Sequence, residues 1–217
     1  AVVDILGNAY TFDGSTWSVG TSIDPMGHLI SVSCPTSTFC MAIDVLGNAI
    51  AFDGSGWAEP TPAQPSGGLD SVSCASATFC AAVDIMGDVV TYDGTRWSAP
   101  RHVDGAGAFY SVSSAGESFC VAVDSANNAV TFDGTTWTAA SIDTSQVRSV
   151  SCPSSTFCAA VDVHGHAVAA RVAERLDDPL AGARGRVDAH HPARLDHRER
   201  AARLEGDPVA VVEPLGD

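Results

Sequence analysis

The chain of 217 residues contains no lysine, and its 11 basic residues, all arginine, face 26 acids for a net charge of −15. A surface of that sign repels phosphate backbones, so no nucleic-acid partner is expected. Apolar runs last only a few residues, far short of the roughly 20 that a transmembrane helix needs, so no membrane insertion is expected. A glycine-rich phosphate loop, a His-Glu-x-x-His zinc motif and a Gly-x-Ser-x-Gly elbow are all missing, which leaves no cofactor implied and weighs against an enzyme. A cleavable leader is missing too. The chain instead begins at Ala1 inside a repeating pattern and reads as a piece of a longer protein.

What is present is a tandem repeat. Trp17, Trp57, Trp97 and Trp137 recur every 40 residues or so, and the segment Ser31-Val-Ser-Cys34 restarts at Ser71, Ser111 and Ser149. The units are a partial copy over 1–30 and copies over 31–70, 71–110, 111–148 and 149–170. Each full unit holds four short β-prone runs, in the first full copy about Leu29–Cys34, Phe39–Asp44, Asn48–Asp53 and Gly56–Glu59. Turn residues such as Asp53-Gly54 separate them, the chemistry of tight hairpins. A four-stranded unit of this length is a propeller blade, so the expected fold is all-β, a β-propeller of about four blades followed by a non-repeating C-terminal tail. Alternation along Phe39–Ile43 puts Phe39, Met41 and Ile43 on one face and Cys40 and Ala42 on the other. Both faces are apolar, as a blade packed between two neighbours requires. A β-solenoid or a string of small sandwiches is the competing architecture.

Six of the seven cysteines form Cys-x5-Cys pairs that bracket the first hairpin of a unit: Cys34 with Cys40, Cys74 with Cys80, and Cys152 with Cys158. Facing positions on adjacent antiparallel strands suit disulfides, each closing a short loop for about 2.4 kcal/mol. In the third full copy Ser114 replaces the first cysteine and leaves Cys120 as a free thiol. Structural zinc prefers two to four residues between paired cysteines, so no metal is expected. Regular disulfides imply an oxidising compartment, hence a secreted or cell-surface protein.

The unit Ser-Val-Ser-Cys-Pro-x-Ser-x-Phe-Cys-x-Ala-Val-Asp-x-x-Gly-Asn-Ala-x-x-Phe-Asp-Gly-x-x-Trp resembles a repeat of secreted and surface proteins of GC-rich bacteria, whose tandem copies look like propeller blades. The resemblance covers residues 1 to about 168 and carries no catalytic residues. Asp-Gly-x-x-Trp is also faintly similar to the Asp-box of sialidase-type propellers. That motif places one residue between Asp and Gly where this chain has none, so sialidase activity is not implied.

Beyond the repeat, residues 171–217 hold eight arginines and no aromatic or cysteine. The stretch reads as disordered or as GC-rich DNA translated out of frame. The alternative is a genuine tail with a short helix near 168–177, built on Val168, Val172 and Leu176. Asp188, His190, His191, Asp196 and His197 form a weak candidate metal cluster.

Residues that recur in every copy read as architecture. Asp4, Asp44, Asp84, Asp124 and Asp162 each precede a Gly-Asn-type turn and are expected to bond its backbone. The tryptophans are expected to fill gaps between blades, and Phe12, Phe52, Tyr92 and Phe132 to be core. Function is sought where copies differ. The residue before each Ser-Val-Ser is Ile30, Asp70, Tyr110 or Arg148, at the connection that opens on the central channel. Asp70, Tyr110 and Arg148, with His28, Arg101 and His102 nearby, are the candidate ligand-binding residues, and Asp104 lies close in sequence. The expected role is a non-catalytic binding module for a polysaccharide or a surface protein. A structural spacer is the first alternative and a glycoside hydrolase or lyase the second. The partial first copy lacks an inner strand, which Val147–Cys152 is expected to supply by circular closure.

Overall fold

A computed structural model describes residues 1–103, 105–142, 146–171 and 211–214. Every described element is a β-strand, and the strands form five successive antiparallel sheets. The first sheet has three strands, β1 (Val2–Val3), β2 (Asn8–Tyr10) and β3 (Thr21–Ser22). The second has four: β4 (Leu29–Thr36), β5 (Phe39–Asp44), β6 (Asn48–Phe52) and β7 (Thr61–Pro62). The third is β8 (Leu69–Ser76), β9 (Phe79–Asp84), β10 (Asp88–Tyr92) and β11 (Arg101–His102). The fourth is β12 (Phe109–Gly116), β13 (Phe119–Asp124), β14 (Asn128–Phe132) and β15 (Trp137–Ser141). The fifth is β16 (Val147–Ser154), β17 (Phe157–Asp162), β18 (Ala167–Arg171) and β19 (Val211–Pro214). Strand order follows chain order in each sheet, the meander of a propeller blade. Among the described residues no helix is long and apolar enough to cross a membrane.

The two apolar faces explain the stacking. Phe39, Met41 and Ile43 of one blade share a cluster with Val72, Cys74, Cys80, Ala82 and Val90 of the next. Phe79, Ala81 and Val83 meet Phe109, Val112, Cys120, Ala122 and Val130 in the same way, and Phe119, Val121 and Val123 meet Val150, Cys152, Cys158 and Ala160. An apolar face therefore packs on an apolar face at each step. The first strands β4, β8, β12 and β16 lie successively side by side and form the inner wall.

A repeated hydrogen bond locks that wall. Ser31 Oγ and Ser33 Oγ accept the backbone N–H groups of Val72 and Cys74 at 3.2 and 2.9 Å. Ser71 and Ser73 do the same for Val112 and Ser114 at 3.2 and 2.9 Å, and Ser111 and Ser113 for Val150 and Cys152 at 3.3 and 2.9 Å. The inner edge of a sheet would otherwise bury unpaired N–H groups, which is costly. Each serine pair removes that cost for the following blade.

Three disulfides are present, Cys34–Cys40, Cys74–Cys80 and Cys152–Cys158, and Cys120 is a buried free thiol. They point to an oxidising environment.

The structure departs from sequence expectation in three places. The fourth strand is not Gly56–Glu59: Trp57 makes a single bridge to Phe52, and the strand proper is Thr61–Pro62. Pro60 and Pro100 carry no N–H for the ladder, whereas Ala140 stands at the same position of the fourth sheet, which has one unbroken strand, Trp137–Ser141. Where a helix was the alternative near 168–177, Ala167–Arg171 is a strand paired with Phe157–Asp162. A turn at Gly165, with φ +86° like Gly7, Gly47 and Gly87, sends it back along its neighbour. Residues 172–177 and the Asp188–His197 cluster lie outside the described residues. Finally, Val147–Ser154 pairs with Phe157–Asp162 in its own sheet rather than completing the first one.

Candidate functional site

Each inner strand carries a register shift one residue before its Ser-Val-Ser segment, between Leu29 and Ser31, Leu69 and Ser71, Phe109 and Ser111, and Val147 and Ser149. The bulged residues are Ile30, Asp70, Tyr110 and Arg148. A bulge breaks strict alternation and re-aims its side chain, and its flanking Leu29, Leu69, Phe109 and Val147 stay buried as anchors. The four unlike residues thus form a row at one end of the inner wall.

Within that row the structure brings Tyr110 and Arg148 together across two adjacent blades. The Arg148 guanidinium lies 4.1 Å from the centroid of the Tyr110 ring, a cation–π contact that keeps the charge exposed while fixing its direction. Asp70, one blade back, is half-buried, and burial pushes its carboxyl above the usual range. Ile30 is 44% exposed at the start of the row. The combination of an oriented cation, an aromatic edge, a carboxyl and an aliphatic side chain suits a ligand with both polar and apolar parts.

The other sequence candidates lie elsewhere. His28 sits in the connection before β4, where its backbone oxygen accepts the Val45 N–H at 3.1 Å. Arg101 and His102 are on β11, the outermost strand of the third sheet. There Arg101 Nη1 donates to the Thr135 carbonyl at 3.3 Å, and His102 Nδ1 lies 2.9 Å from Asp88 Oδ1. Asp104 is outside the described residues. Among the described residues no three His, Cys, Asp or Glu side chains group as a metal site. An open depression of about 400 Å³ beside Asp93, Arg96 and Trp97 also lies outside this row.

The recurrent aspartates are built into turns. Asp44 Oδ1 accepts the Asn48 N–H at 2.7 Å, Asp84 those of Met86 and Asp88 at 2.8 Å, and Asp124 those of Ala126 and Asn128 at 2.9 and 2.8 Å. A second aspartate series, Asp13, Asp53, Asp93 and Asp133, accepts the hydroxyl of Ser15, Ser55, Thr95 or Thr135 and the N–H groups two and three residues on in each Asp-Gly turn, and these bonds hold the carboxyls well below the usual range. The aromatic that precedes each of these aspartates pairs with the tryptophan after it, at 4.9–5.4 Å between centroids. Trp137 is buried between blades and Trp57 and Trp97 pack half-buried against inter-blade clusters, whereas Trp17 and Phe12, expected as gap filler and core, are 55% and 51% exposed.

Sequence reasoning missed one buried pair. Asp24 and Asp44 are 3% and 0% exposed, and Asp24 Oδ2 has no hydrogen-bond partner. Burial, then the neighbouring Asp44, raises the Asp24 carboxyl above its usual range. One repeat later Gln64 stands where Asp24 does, and its Nε2 donates to Asp84 Oδ2 at 2.8 Å. Aligning the variable connections would have shown this exchange.

No family model matches the chain, and no curated protein is significantly similar to it. Among solved structures it is similar to one titled "YCF48 bound to D1 peptide", with a TM-score of 0.54 and 15% identity, over 72% of this chain and 53% of that one. Likeness at that identity shows the propeller-like fold alone. The chain spans about half the length of that structure.

Proposed function

We propose that the chain is a non-catalytic binding arc of a secreted or surface-exposed propeller, holding a peptide segment of a protein partner across Asp70, Tyr110 and Arg148. The observation that carries this reading is the Arg148–Tyr110 contact, because it orients an exposed cation at a bulge instead of spending it on an internal ion pair. The repeated scaffold sets four unlike side chains in one row, and variable residues on a rigid frame are where recognition resides. The solved propeller of similar fold was captured with a peptide, which supports a peptide ligand over a glycan.

The test is selection of random peptides displayed on phage against the full chain, followed by binding of the selected peptides to Tyr110→Ala and Arg148→Ala. Both positions are on the surface, so the variants should keep the parent melting temperature. Selected peptides should lose at least tenfold in affinity for each variant. Failure to enrich any peptide, or binding by both variants as tight as by the parent, overturns the proposal.

A further inference from the structure

Asp70 and Arg148 stand in one row, carry opposite charges and do not neutralise each other. Strand β12, with Tyr110 at its bulge, lies between the strands that bear them. Among the described residues neither side chain makes an ion pair or a hydrogen bond, and the Tyr110 hydroxyl has no partner. The cations of the third blade differ. Arg96 lies 3.5 Å from Asp93, Arg101 donates to the Thr135 carbonyl at 3.3 Å, and His102 lies 2.9 Å from Asp88. The recurrent aspartates likewise have their turn N–H donors, whereas the half-buried Asp70 has none. A carboxylate drawn partly out of water without a donor is unfavourable until a cation reaches it. The Tyr110 ring fixes the Arg148 guanidinium but accepts none of its N–H bonds, which leaves the planar fork that matches a carboxylate.

We propose that the row selects its peptide by charge order, taking a basic side chain at Asp70 and an acidic side chain at Arg148, with an apolar residue beyond the base at Ile30. This rests on the assignment of the row as a peptide site and adds the class of peptide. The two charges of the ligand must be held apart, because Asp70 and Arg148 are on strands separated by a third. The acidic residue is the discriminating feature. A chain of net charge −15 attracts any cation and repels any anion, so a basic residue could be drawn in by the field alone. An acid has to be recruited against that field, and Arg148 is the cation in the row that can do so.

The probe is a peptide enriched from the random library on the full chain, synthesised with both termini capped so that its charges are side chains. It should carry a base and an acid, and exchanging either for glutamine should weaken binding to the parent at least tenfold. Double-mutant cycles then assign each charge to its partner. On Arg148→Gln the loss of the peptide acid should cost less than twofold while loss of the base still costs tenfold, and on Asp70→Asn the two effects should be exchanged. Asp70→Asn keeps the size of the side chain and Arg148 is exposed, so both variants should melt with the parent. Enriched peptides that are lost on Tyr110→Ala but carry no acid, or whose charges cost the same on parent and variants, overturn the charge order and leave the peptide site standing. Absence of any enriched peptide overturns both.

Discussion

At the residue scale, the repeat supplies its own controls. Asp24 and Gln64 hold the same position against Asp44 and Asp84, but only the glutamine has a hydrogen to donate. A carboxyl whose pKa is raised on folding contributes stability below its unfolded value of about 3.9, and that contribution is lost as pH rises through the raised value. Asp24→Gln should therefore be more stable than the parent at pH 7, by about 1.5–3 kcal/mol for a charge-assisted bond. The gain should vanish below pH 4, as urea midpoints at the two pH values will show. Ser114 and Cys120 offer a second control. They pair in the register of Cys74 and Cys80, Ser114 Oγ is 2.9 Å from the sulfur, and burial pushes the thiol up to about 11. The parent thiol should resist a thiol reagent at neutral pH. Ser114→Cys should close a fourth disulfide worth about 2 kcal/mol, seen as loss of the titratable thiol on unfolding and a raised melting temperature.

At the scale of the element, serine is the residue whose role pattern-reading understated. Ser-Val-Ser reads as a short strand with a polar alternation, and the sequence contains no sign that the hydroxyls belong to the next blade's backbone. That link spans 39–41 residues and exists only once the blades stack. Ser33→Ala should leave the buried Cys74 N–H without an acceptor and cost about 1–3 kcal/mol. Ser151→Ala, at an exposed copy of the same position, should cost under about 0.5 kcal/mol. Chemical denaturation of both variants separates a ladder role from a mere strand preference, for which the two losses would be equal. The fourth strands show the reverse: Pro60, Pro100 and Ala140 were all readable, yet which of them interrupts a ladder depended on where the bond-forming N–H fell.

At the scale of the whole molecule, the described blades make an arc whose ends differ from its interior. Val161 is 46% exposed although Ile43, Val83 and Val123, at the same repeat position, are each 0%. Phe12 and Trp17 are likewise half-exposed at the opposite end. The net charge of −15 opposes non-specific association of these apolar ends. What the sequence determined by itself was the blade: a 40-residue period, alternation with apolar residues on both faces, Asp-Gly turns and a cysteine pair that faces across a hairpin. Those features act over a few residues, so local chemistry suffices to read them. What only the tertiary structure decided was what the blades do to one another. It set Tyr110 under Arg148, left Asp24 facing Asp44 without a donor, moved Arg101 and His102 to an outer strand and turned serines into acceptors for a neighbouring edge. These outcomes depend on which side chains a bulge or a stacked sheet brings within bonding distance, and distance in space is not fixed by distance along a repeat.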